Sequence, residues 1–207
     1  ANADVKFLKS IFGKNGETLH RYACGEDCSP VRHKELSREI KSIGNSTTTP
    51  RDLINNDDVK VVFTVLAESV SRRMREHDLK GVTLAISVRT NELETFTRQC
   101  KMPCPTSVSN EFIKYAMELF TANYDWSTPI RSIGLSVTDF DYDMVPQFDL
   151  NKTVERRERL ERLERAVDKL KDRYGNYCVQ KGTALCDKSL SHFNPFEEHT
   201  IHPISMV

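Results

Sequence analysis

The sequence predicts an α+β fold: a four-stranded antiparallel sheet carrying two helices on one face. Three observations lead there. Apolar residues recur at helical spacing over Val59, Val62, Phe63, Leu66, Val70 and Met74, and again over Phe112, Ile113, Ala116, Met117, Phe120 and Tyr124. Apolar and small polar residues alternate over Val82–Val88 and over 132–138, where Ile133, Leu135 and Val137 are the apolar members. The segments follow one another as β-α-β-β-α-β, an order that closes with both helices on the same side.

Taken in order, residues 1–35 hold a short amphipathic pattern, with Phe7, Leu8, Ile11, Phe12 and Leu19 broken by Gly13 and Gly16, and then a linker with Gly25, Asp27, Ser29 and Pro30. That pattern is too short to bury a core. The sheet domain is expected over 36–140. A polar strand is predicted at about 37–43, running into the hydroxyl-rich stretch Lys41-Ser42-Ile43-Gly44-Asn45-Ser46-Thr47-Thr48-Thr49-Pro50. Asn56 is the expected N-cap of the first helix, with Asp57 and Asp58 in its first turn and Gly81 ending it. Asn91-Glu92 turns the second strand into a third at about 93–101, closed by Pro103 and Pro105. There Phe96 and Arg98 share a parity, which suggests a bulge or a register that the sequence does not fix. Ser107 or Ser109 is the expected cap of the second helix.

Residues 141–207 are expected to form a tether, a charge-dense helix over 154–174 and a mobile tail. Leu160, Leu163, Val167, Leu170 and Tyr174 make a narrow 3-4-3-4 seam on that helix, suited either to a partner or to its own domain. The aperiodic residues beyond Gly175 show no signal for a regular element.

Thirty basic residues balance thirty acidic ones, so bulk charge selects no partner. Its distribution does. Strand segments 36–51, 81–106 and 127–138 hold seven basic residues (Arg38, Lys41, Arg51, Arg89, Arg98, Lys101, Arg131) against three acidic, whereas helical segments 52–80 and 107–126 hold six against nine. A basic sheet backed by acidic helices can lie against phosphates while its far side repels them. Lysine, glycine and hydroxyl residues in the 41–50 stretch let a backbone approach closely while offering N–H and O–H donors, for which phosphate is the usual target.

The six cysteines, at 24, 28, 100, 104, 178 and 186, include two C-x3-C pairs, one residue longer than a zinc knuckle and without a neighbouring His pair. Free thiols and no metal site are expected. No apolar run approaches the roughly 18 residues of a membrane span, and no signal-peptide core opens the chain, so the expectation is a cytoplasmic protein without membrane contact.

Several of these segments together resemble Y-family translesion DNA polymerases of the bacterial UmuC-like and DinB-like branch. Phe12-Gly13-Lys14-Asn15-Gly16-Glu17-Thr18-Leu19, Ala23-Cys24-Gly25-Glu26-Asp27 and Ser29-Pro30-Val31 resemble the end of that family's thumb. Lys41 to Pro50 resembles the entry into its β-α-β-β-α-β little finger, and Val88-Arg89, Thr97-Arg98-Gln99 and Ile130-Arg131-Ser132-Ile133-Gly134 fall where that domain has basic motifs. The resemblance implies that Ser42, Ile43 and Gly44 offer backbone N–H groups to template phosphates. It implies that Lys41, Arg89, Arg98 and Arg131 add charge along a template-primer duplex. Asn45 and Ser132 stand where the family often has basic residues. Gln147-Phe148-Asp149-Leu150 resembles a sliding-clamp-binding peptide, with Phe148 replacing a Leu and Asn151 a terminal Phe.

The family's Mg²⁺-binding carboxylates belong to palm and fingers, which precede the thumb, and no Asp/Glu constellation here replaces them. The resemblance therefore implies a non-catalytic C-terminal portion, with no cofactor of its own, of a polymerase whose remaining domains are its partners. Two other readings suit the same fold class. One is an RNA-binding module, which needs exposed sheet aromatics and has only Phe96 in the central strands. The other is a protein–protein adaptor acting through helix 154–174.

Overall fold

The computed structural model describes residues 1–28, 40–141, 153–193 and 195. The chain divides into two compact units, 1–39 and 40–207.

In the first unit, α1 (Val5–Phe12) and α2 (Lys14–Ala23) meet at Gly13. Asp4 caps α1 by accepting from the Lys6 N–H. Phe7, Ile11, Phe12, Leu19 and Tyr22 all remain exposed, in keeping with a pattern too short to enclose a core.

The second unit is the predicted β-α-β-β-α-β domain. Strands β1 (Ser42–Leu53), β2 (Lys80–Thr90), β3 (Thr95–Thr106) and β4 (Ile130–Asp141) form one antiparallel sheet in the order β1-β4-β2-β3. Helices α3 (Asn56–Glu76) and α4 (Ser109–Asn123) cover one face. Val59, Phe63, Leu66, Val70 and Met74 of α3 and Phe112, Ala116 and Phe120 of α4 bury against Ile43, Leu84, Ile86, Val88, Ile133, Leu135 and Val137.

Element boundaries depart from the sequence expectation for identifiable reasons. The first strand occupies the hydroxyl-rich stretch itself and runs to Leu53. Its consecutive β-branched threonines favour extended backbone, and Pro50 is tolerated because β1 is an edge strand. Pro103 and Pro105 likewise sit within β3, the opposite edge, and do not end it. The N-cap of α3 is Asn55, one residue early: its Oδ1 accepts from the Asp58 N–H at 2.8 Å, while Asp58 Oδ2 accepts from the Ile54 N–H at 3.2 Å. Gly81 lies inside β2 and not at a helix end, because a Cβ there would stand 2.1 Å from Val137 Cγ1 on the neighbouring strand. No bulge explains Phe96 and Arg98, since β2 and β3 pair in unbroken register from Thr83↔Lys101 to Arg89↔Thr95.

The N-cap position of α4 falls on Val108, whose side chain cannot cap. Glu164 does so from elsewhere: its carboxylate accepts from the Ser109 N–H (3.1 and 3.2 Å) and from Ser109 Oγ (2.5 Å). Glu164 belongs to α5 (Thr153–Tyr174), which packs on the side of α3 turned away from the sheet. The helix thus docks on its own domain, mainly through charge. Glu164 and Asp168 pair with Arg75, Glu161 with Lys80, Asp172 with Arg72, Arg157 with Glu111, Arg165 with Asp78, and Lys171 with Glu68.

Beyond Gly175 the aperiodic sequence folds into a 3₁₀ turn (Gly182–Leu185) and the one-turn helix α6 (Lys188–Ser191). Asp187 caps α6 by accepting from the Ser189 and Leu190 N–H groups. One fully buried side chain, Leu190, joins the main core.

Candidate nucleic-acid interface

Sheet register fixes which side chains face away from the helices. On β1 these are Ser42, Gly44, Ser46 and Thr48, whose cross-strand partners on β4 are Thr138, Ser136, Gly134 and Ser132. The rows continue onto β2 as Thr83, Ala85, Ser87 and Arg89, and onto β3 as Lys101, Gln99, Thr97 and Thr95. Every side chain in these rows is small, hydroxylic, amide or cationic, and none is aromatic; beside them the Asp139 carboxylate accepts from Thr83 Oγ1 at 2.6 Å. Such a surface lets a rigid polyanion approach the backbone closely along its whole width.

The outer edge of β1 adds donors. In an antiparallel strand alternate residues turn both backbone groups outward. The Gly44 carbonyl accepts from Arg73 Nη1 at 3.0 Å, and the Ser46 N–H donates to Asn45 Oδ1 at 2.9 Å, so the even-numbered positions are the outward ones. Ser42 and Gly44 therefore direct their amides to the free edge, and Arg73 from α3 stands beside them as a cation. A hollow of about 490 Å³ lies along this edge, lined by Gly44, Ser46, Thr48, Ser136, Phe193 and Pro195 among others.

The predicted site residues separate into two sets. Lys41, Arg89 and Arg131 are exposed, and Ser132 lies directly across from Arg89 on the open face. Its hydroxyl donates to the Thr47 carbonyl at 2.9 Å. Arg131 stands at an irregularity in the ladder and makes a loose 3.5 Å ion pair with Asp52.

Ile43, Asn45 and Arg98 are placed otherwise. The Ile43 side chain is in the core, and its amide turns toward β4. Asn45 also points inward, and its Nδ2 donates to Ser69 Oγ and to the Pro195 carbonyl, both at 3.3 Å. Arg98 is on the helix side of β3, where its Nε donates to Asn123 Oδ1 at 3.1 Å and its guanidinium lies 5.6 Å from the Phe96 ring centre. Phe96 stacks on Tyr124 on that same side, so it offers no base-stacking surface on the open face.

Of the other strand cations, Arg51 is tied to Asp58 and Asp187, and both carboxylates are held below their ordinary range. Lys101 and Arg73 complete the interface without having been singled out from sequence. Strict parity counted from Ser42 would have found Lys101; no local signal marks Arg73, whose reach across to β1 is purely tertiary. The clamp-like residues Gln147–Leu150 lie outside the described residues, as does Arg38.

Among the described residues no group of three or more His, Cys, Asp or Glu is arranged to hold a metal ion. Among them, too, no helix is long and apolar enough to cross a membrane.

Residues 40–150 match the model of the impB/mucB/samB family C-terminal domain. The chain belongs to this family. The DNA polymerase IV of Acetivibrio thermocellus is 42% identical over 192 residues, covering 92% of this chain and 48% of that protein. The DNA polymerase IV of Moorella thermoacetica is 35% identical over 185 residues, covering 89% and 45%. The chain thus spans about half the length of these curated relatives. A Y-family DNA polymerase chimera shares the fold at a TM-score of 0.50 and 16% identity, over 66% of this chain and 38% of its own. The family's C-terminal domain and the sheet domain coincide: the match opens at Ile40, two residues before β1.

Proposed function

We propose that this chain is the part of a DNA-directed DNA polymerase that grips template-primer duplex without reading its sequence. The observation that carries the reading is the open sheet face, four rows of small and hydroxyl side chains with Lys101 at one corner and Arg89 within the opposite end row. Lys41, Arg131 and the amides of Ser42 and Gly44 add to it at the β1 side of the sheet. Contacts of this kind hold a phosphate backbone in register and leave the bases unread. Tolerance of any sequence, damaged templates included, follows from that. The relatives' name, DNA polymerase IV, agrees with this role.

The test is fluorescence anisotropy of the chain with labelled duplex across a salt series. Neutralising three to four phosphates gives a log–log slope of about −3 to −4. A flat response, or strong preference for one sequence, would reject the reading.

The second part of the proposal is that Gln147, Phe148, Asp149 and Leu150 bind the sliding clamp as an extended peptide just past β4. A clamp contact close to a weak DNA grip raises the local concentration of that grip. Without a terminal aromatic at Asn151, the peptide is expected to bind at tens of micromolar, about −6 kcal/mol. Calorimetry against clamp should show that Gln147→Ala removes binding and that Asn151→Phe tightens it. No heat from either wild type or Asn151→Phe would reduce the segment to a linker.

A further inference from the structure

Docking of α5 changes the charge of the side opposite the sheet. The helix layer on its own is acidic, and α5 meets it with paired charges of both signs. Between Arg159 and Arg173 every acidic residue of α5, namely Glu161, Glu164, Asp168 and Asp172, is paired with a cation of α3 or β2. Arg165 and Lys171 are paired with Asp78 and Glu68. The remaining cations of this stretch, Arg159, Arg162, Lys169 and Arg173, have no ion-pair partner among the described residues. At 100° per residue they share the outward face, along about 21 Å of helix. From Arg159 to Arg173 this face carries four cations and no anion; the exposed Glu155, one turn before Arg159, lies on the same face.

The stripe is bordered by exposed Leu163, Leu170 and Tyr174, the last 63% exposed with Arg173 lying 5.2 Å from its ring centre. A cationic track beside an aromatic ring and apolar side chains is the combination that holds a single strand, whose phosphates meet the cations and whose unpaired bases meet the apolar groups. A duplex keeps its bases stacked inside and cannot use that border.

We propose that the outer face of α5 is a second nucleic-acid surface, on the side of the domain opposite the sheet, that binds single-stranded DNA. The choice of DNA as the polyanion rests on the function proposed above; the existence of the surface does not. It also reverses the expectation that the far side repels phosphates.

The experiment uses the full chain, labelled oligothymidine and labelled duplex, with anisotropy read over a salt series. Replacing Arg159, Arg162, Lys169 and Arg173 together by Gln removes no ion pair, so thermal unfolding should be unchanged. Oligothymidine affinity should fall at least about 10-fold at low salt, and its salt slope should flatten by about 3, as expected for four contacts on a single strand. The variant Arg89→Gln/Lys101→Gln should lose duplex affinity and keep most oligothymidine affinity, which separates failure of the sheet reading from failure of this one. Wild-type affinity and slope in the fourfold variant would overturn the proposal, as would a wild-type chain that does not bind oligothymidine. So would polyglutamate competing as well as oligothymidine does, since that would identify an acidic protein as the partner.

Discussion

Arg75 of α3 donates from two guanidinium nitrogens to the carboxylate of Asp168 on α5, at 2.7 and 3.0 Å, across 93 positions of sequence. The same guanidinium reaches Glu164 at 2.5 Å and the Ser107 carbonyl at 3.0 Å, and its side chain is only 5% exposed. One arginine thus joins α3, the start of α4 and α5.

Arg75→Ala should therefore cost about 3–5 kcal/mol, because it leaves two half-buried carboxylates without their partner. Urea denaturation measures this. The fluorescence of a probe on α5 should report local release of the helix before the sheet unfolds. A loss under about 1 kcal/mol, the range of exposed pairs, would mean that α5 is not held by this residue.

Acid should loosen the tail. Asp58 is held low mainly by the Arg51 guanidinium, and Asp187 mainly by the Ser189 hydroxyl and then by Arg51. Groups with lowered folded values stabilise fully above the ordinary aspartate value of about 3.9 and lose that contribution as pH falls through it toward their folded values. Melting temperature should drop below about pH 4, and Asp187→Asn should make that acid limb shallower. An identical limb in the variant would remove Asp187 from the account.

Asn45 tests the inward placement directly. Its amide ties β1 to Ser69 on α3 and to Pro195 in the tail. Asn45→Ala should lower stability by about 1 kcal/mol while leaving the salt slope of duplex binding unchanged. A shallower slope would place this side chain on the DNA.

Gly44 is constrained by space. A Cβ there would lie 2.7 Å from Ser136 Cβ and 3.2 Å from both the Leu135 carbonyl oxygen and Ser136 Cα. Gly44→Ala should destabilise by about 1–3 kcal/mol through strand displacement. It should also weaken duplex binding beyond the stability loss, since the displaced strand carries the outward amides.

Periodicity made the sheet and both covering helices legible, because Val82–Val88 and Val59–Met74 obey one period each. Basic residues were legible as a set but not by face. Arg98 and Arg51 look like Arg89 in sequence, yet strand parity and a reach to Asp187, 136 positions away, place them elsewhere. The cap of α4 was illegible for the same reason: Ser109 is satisfied by Glu164 and not by its neighbours. The tail escaped because burial of Leu190 needs a tertiary slot, and no local period announces one.

The most direct test of the account is the salt dependence of duplex binding for wild type and for Arg89→Gln/Lys101→Gln. Both residues stand on the open face, and neither makes an ion pair among the described residues. The account predicts a slope of about −3 to −4 for wild type, shallower by about 2 in the variant, with unchanged melting temperature and no dependence on duplex sequence. Equal slopes for the two proteins would contradict the sheet face as the surface that holds DNA.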